Sequence, residues 1–163
     1  MPGRVFAKAI LPIVCAWAKK HERVILHRGT PLTEQELSDA RRVGVQHPER
    51  VRILKVNSVP PRLPARIRLM AERLAWGPAI TAGMALGYGI FLRADQGERR
   101  DLLIHELAHT AQYERLGFRR FLEQYLHECL TTGYPSGALE AEAQRIALFV
   151  ERGGQRSDAA LSA

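Results

Sequence analysis

Apolar residues return at helical spacing along three stretches of the C-terminal half. Over 99–116, Leu103, Leu107 and Ala111 recur at four-residue steps with Ile104 and Ala108 beside them, and Gly117 follows as a natural C-cap. Over 118–130 the inward face is Phe121, Leu122, Tyr125, Leu126 and Cys129; over 138–152 it is Leu139, Ala143, Ile146, Ala147 and Val150. Gly133-Tyr134-Pro135-Ser136-Gly137 between them reads as a loop. Nearer the N-terminus, 5–28 predicts one long helix, or two short ones broken near Pro12, stopped by Gly29-Thr30-Pro31. Thr33-Glu34-Gln35-Glu36 is a capping box that opens a second helix running to about Val43, and His47-Pro48 breaks the chain after it.

Strand patterning is confined to the middle. Val51, Ile53 and Val56 are β-branched, with Arg52 and Lys55 at polar positions, so 51–56 predicts a strand. Pro60, Pro61 and Pro64 make a stiff connection, and 65–76 reads equally as a short helix or an irregular basic stretch before Gly77-Pro78. The apolar segment 80–93 carries Gly83, Gly87 and Gly89, which mark a bend, a bulge or a close approach of another backbone, and it ends as a strand. Asp95-Gln96-Gly97 is a turn. The pattern therefore predicts an α+β chain, mostly helical, with a short β-sheet beside the 99–116 helix.

Length and composition narrow the class. The 163 residues suit a single domain over 1–152, with an N-terminal helical part to about 50, a core from about 80, and a disordered tail over 153–163. No stretch reaches the roughly 18–20 uninterrupted apolar residues of a membrane span. Net charge is +7, with twenty arginines against four lysines. That balance permits a nucleic-acid partner but does not favour one, because no run of five or six basic residues occurs. Cys15 and Cys129 stand far apart and in no CxxC pattern; they read as buried, reduced thiols of a cytoplasmic protein. Ala16-Trp17-Ala18 after an apolar stretch has the form of a signal-peptidase site, but Lys8 and Pro12 interrupt that stretch and the helical rhythm continues to Leu26. The segment reads as a helix of the folded domain, with export as the alternative.

The chemistry is concentrated in His105-Glu106-Leu107-Ala108-His109, an HExxH pentapeptide inside the clearest helix. Histidines at i and i+4 lie one above the other on one helix face, so their ring nitrogens can grip one metal ion. Glu106 lies about 100° further round and reaches a water on the metal without being a ligand. Zinc held by three protein ligands keeps a fourth position for that water, lowers its pKa, and lets the glutamate act as general base. The apolar spacers Leu107 and Ala108 argue against a solvated face. A third ligand must come from elsewhere. Glu140-Ala141-Glu142-Ala143 opens the last helix, and Glu140 shares its side with the small residues Ala143 and Ala147, which permit close approach to the metal helix. Glu142 lies on the other flank, where a carboxylate near a helix N-terminus is favoured by the dipole alone. His127 is a rival ligand on the intervening helix; His21, His27 and His47 have no motif around them and read as surface residues.

These residues resemble the gluzincin group of zinc metallopeptidases, the thermolysin-like arrangement in which HExxH is completed by a glutamate of an E-x-x-A segment on a later helix. The resemblance puts Glu140 in the ligand place and implies a minimal zincin-like domain. Such proteins commonly carry an aspartate four residues after the ligand glutamate, orienting the first histidine; here that place is Gln144, a weaker partner. Residues 80–150, notably 86–93, 103–117 and 139–143, also resemble small bacterial HExxH proteins of unassigned function. The resemblance further implies that the strand before the metal helix, over 84–92, can pair with an extended substrate. An ordinary core strand is the equal alternative. Tyr134 and Tyr88 are possible donors to a developing oxyanion.

The expected activity is thus that of a zinc-dependent metallohydrolase with a peptide or protein substrate, one Zn2+ held by His105, His109 and Glu140, and Glu106 as the catalytic base. The competing expectation is a basic binding module for nucleic acid or another acidic partner with a vestigial metal site. A zinc hydrolase acting on some other bond is the third.

Overall fold

The computed structural model describes residues 2–59 and 82–153, with side chains from residue 9. The proline-rich connection, the 65–76 segment and the tail from 154 lie outside the described residues.

The N-terminal stretch forms one helix, α1 (Pro2–Arg28), which runs through Pro12. Pro12 removes one backbone donor but lies on the exposed side. The opposite face buries Leu11, Val14, Trp17, Ala18 and Ile25, and that burial outweighs the missing bond. Gly29 ends the helix and the chain enters β1 (Thr30–Pro31). The capping box forms as read: Glu36 Oε2 accepts from the Thr33 N–H at 2.7 Å and the Thr33 hydroxyl accepts from the Glu36 N–H at 3.4 Å. Helix α2 (Glu34–Val43) then runs to Gly44, whose φ of 100° terminates it. Strand β2 (Arg52–Val56) follows a short 3₁₀ turn.

Strands β3 (Gly83–Leu86) and β4 (Gly89–Arg93) form a hairpin. The sheet order is β1-β2-β4-β3, with β4 parallel to β2 and antiparallel to β3. The segment 84–92 therefore divides: among the described residues β3 lies at an edge, whereas β4 is an internal strand. Burial on both faces explains the unbroken apolar run of β4. Phe91 enters one core with α1, and Ile90 and Leu92 enter the other with α2. Three helices follow among the described residues: α3 (Arg100–Leu116), α4 (Phe118–Thr131) and α5 (Ala138–Glu151). α4 packs with α1 in the first core, while α3 and α5 share the second. The mostly helical α+β class is as the pattern predicts. No helix among the described residues is long and apolar enough to cross a membrane.

Two buried carboxylates that the sequence did not mark hold these layers together. Asp39 of α2 is 2% exposed and accepts two bonds, at 2.8 and 2.7 Å, from the guanidinium of Arg100 at the start of α3. Glu22 of α1 accepts from Lys19 Nζ at 2.7 Å and from the Tyr88 N–H at 3.1 Å. The second bond anchors the hairpin turn, and it explains Gly87: φ is +65°, and a Cβ there would lie 2.1 Å from Glu22 Oε1. Other expectations shift modestly. His21 is part-buried rather than a plain surface residue, stacked on Trp17 with Nδ1 2.8 Å from the Trp17 carbonyl. Cys15 and Cys129 are not joined to each other and are half-buried rather than buried.

Candidate metal centre

His105 and His109 project from one face of α3, one turn apart, as the i, i+4 spacing requires. Glu140 projects toward them from the first turn of α5. The approach is close because Ala143 and Ala147 of α5 pack in the same core as Leu107 and Ala108 of α3. The three side chains converge: His105 Nε2 is 3.1 Å from His109 Nε2 and 3.1 Å from Glu140 Oε2, and His109 Nε2 is 3.5 Å from Glu140 Oε1. A tetrahedral zinc with bonds of about 2.0–2.1 Å separates its ligand atoms by about 3.3 Å. The observed spacing and the imidazole-imidazole-carboxylate donor set both fit that ion. The chemistry of the cluster asks for it too. Neutral imidazole nitrogens and an ionised carboxylate are acceptors, so lone pairs aimed at one point need a cation or shared protons between them.

The site is buried and electrostatically coupled. Burial pushes the Glu140 carboxyl up, but the bond with His105 and the adjoining His109 outweigh it and hold the group well below the usual carboxylate range. Burial pushes His109 down, and the bond to Glu140 with the charge of Glu106 more than reverses this. Glu106 is raised by burial, against the opposing pull of His109 and His105. It lies against β3, where the Ala85 N–H donates to its carboxylate. A Cβ on Gly83 would lie 2.6 Å from Glu106 Oε1, so only glycine lets the strand pass this close.

An open cleft of about 350 Å³ reaches the site; Gly83, His105, Glu106 and Tyr134 line its inner part, and Leu102, Ala147 and Leu148 form an apolar wall. Arg99, paired with Asp101, stands at the mouth. Of the two tyrosines considered, Tyr134 faces the cleft, and its phenol is raised by burial and by the charges of Glu140 and Glu106. Tyr88 does not: it donates to Glu114 Oε1 at 2.9 Å, and burial and that bond push it up to about 12. Glu114 is some nine residues along α3 from His105, about 13 Å away.

The rivals for the third ligand place separate cleanly. Glu142 turns to the other flank, where both its oxygens accept from Arg115 at 2.7 Å. His127 is outside the cluster on α4, and its buried Nδ1 meets no hydrogen-bond partner among the described residues. Gln144, expected beside His105, is exposed on the cleft rim because its position on α5 turns outward; no bond from it to His105 occurs among the described residues. The amide that meets a site imidazole is Gln112, whose Oε1 is 2.8 Å from His109 Nδ1. Tyr125 also supports the site, donating to Glu140 Oε1 at 2.5 Å with its ring edge against His109. Both were missed as site residues. Gln112, three residues after His109, had a signal in its helical spacing, whereas Tyr125 read only as core.

No protein-family model matches the chain, and neither the curated proteins nor the solved structures contain a significant match to it.

Proposed function

We propose that the chain is a zinc-dependent metallohydrolase that cleaves peptide bonds, with His105, His109 and Glu140 as ligands. The observation that carries this reading is the convergence of three ligand atoms at 3.1–3.5 Å beside a buried glutamate in an open cleft. Zinc bound there supplies Lewis-acid polarisation of a carbonyl and a lowered pKa for water. Glu106 does the proton work. It accepts a proton from the attacking water and delivers it to the nitrogen of the breaking C–N bond, so the products are a carboxylate and an amine. Its burial raises its basicity, which suits a base working near neutral pH. The Tyr134 hydroxyl, on the cleft wall, donates to the carbonyl oxygen as charge develops. A peptide is favoured as substrate because β3 has no strand neighbour on its outer side among the described residues, and an extended chain can add there beside Glu106.

Elemental analysis of protein purified without added metal tests the centre. About one zinc per chain is expected, lost in His109→Ala and in Glu140→Ala, with peptide cleavage cut by about 10²–10⁴-fold in a zinc-replete Glu106→Gln variant. A wild type that takes up no zinc when zinc is offered rules this reading out.

A further inference from the structure

We propose that Gln112 is the positioning residue of the metal centre. Its amide, oriented by the Arg115–Glu142 ion pair, fixes His109 as the Nδ1–H tautomer and turns the bare Nε2 toward the ligand position. An amide has the same outline either way round, so its orientation must be read from its neighbours. One end of Gln112 lies 2.9 Å from the Leu139 carbonyl oxygen and 2.9 Å from Glu142 Oε2. Both are acceptors, so this end is the NH₂. The reverse orientation would set an oxygen against two others in a place where Gln112 is 1% exposed and no bulk water relieves the contact. The other end is then Oε1, and the ring nitrogen 2.8 Å from it must carry a hydrogen. His109 Nε2 is left with its lone pair, directed at His105 and Glu140.

The ion pair keeps this direction from reversing. Glu142 receives two guanidinium bonds of 2.7 Å from Arg115, so both its oxygens are engaged as acceptors. The same amide does a second task. Leu139 directly precedes Glu140, so the bond to its carbonyl ties the first turn of α5 to α3. One side chain thus sets two of the three converging residues: His109 by tautomer and ring plane, and Glu140 through the backbone beside it. The chain places this support on the metal helix itself and directs it to the second histidine, in contrast to the expected Gln144.

The consequence for zinc rests on the proposed metal centre, but the tautomer does not, and the test separates them. In metal-free protein labelled with ¹⁵N-histidine, at a pH where the rings are neutral, long-range ¹⁵N–¹H correlation should report His109 with a protonated Nδ1. Metal-free protein is required because ligation at Nε2 would impose that tautomer by itself. Gln112→Leu should lose the tautomer preference and bind zinc about 10–100-fold more weakly in competition with a chromophoric chelator. Gln112→Glu alone sets its carboxylate against both Glu142 and the Leu139 carbonyl and should be as weak; adding Glu142→Gln supplies a donor at the first contact while the Leu139 carbonyl stays opposed, so the double variant should recover part of the lost affinity. A wild-type Nε2–H tautomer overturns the proposal, as does unchanged zinc affinity in a folded Gln112→Leu variant or an exchange variant no better than Gln112→Glu. Where Gln112→Leu does not fold, the wild-type spectrum and the exchange pair decide. Where wild type binds no zinc, the metal-centre reading falls and the spectrum still decides the role of Gln112.

Discussion

Helix α3 carries two clusters of buried polar side chains, and they balance charge in opposite ways. At its N-terminal end, Asp39 is 2% exposed and faces a guanidinium that is always charged, so the pair is complete within the protein. Two turns on, Glu140 and Glu106 are 8% and 5% exposed, and neither meets a fixed cation among the described contacts. Their partners are imidazoles, a phenol and one backbone N–H. A complete pair reads as a brace between α2 and α3. A cluster whose acceptors outnumber its permanent positive charge reads as a place built to receive a cation.

Five measurements probe that contrast, and the largest effect is expected at the incomplete cluster. Glu106→Gln should cut peptide hydrolysis by about 10²–10⁴-fold while leaving zinc content unchanged, measured as kcat/KM beside elemental analysis. Retained activity would remove Glu106 from the mechanism. Tyr134→Phe and Gly83→Ala should each cost up to about 100-fold in kcat, the first by losing a donor to the oxyanion and the second by pushing Glu106 out of place. Both should keep their zinc; metal loss in Gly83→Ala would mean that the close strand supports the ligands rather than the base. Zinc at about 100 times its Kd should add about 2.7 kcal/mol to unfolding free energy in urea, and a chelator should reverse this. The smallest effect is expected at the complete pair. Asp39→Ala should cost about 1–2 kcal/mol, less than a fully buried pair because Arg100 can turn to water, with no change in zinc stoichiometry. A loss of zinc there would join the two clusters into one unit.

The helices were legible where periodicity is strong, down to the Thr33 cap and the Gly117 stop. The identity of the edge strand was not, because 84–92 is one apolar run, and only the pairing of β4 with β2 separates an internal strand from an edge. His105, Glu106 and His109 were legible because an α-helix fixes i, i+4 geometry without reference to the rest of the chain. Glu140 was favoured over Glu142 from the small residues on its side, and it is Glu140 that meets His105 and His109 while Glu142 is taken up by Arg115 and Gln112.

What was readable without the fold is therefore local: the helix periods, the caps, the spacing of the two histidines and the glutamate between them. Each follows from backbone geometry within a few residues. What the tertiary structure decided is which distant groups meet. Gln112 bonds the start of α5, Tyr125 reaches Glu140 from α4, and Gly83 gives passage to Glu106. Asp39 finds Arg100 across 61 residues, and Glu22 finds Tyr88 across 66. Hydrogen bonds and ion pairs act over about 3 Å and carry no periodic trace along the chain. Only the packing of helices on the sheet brings such partners within reach.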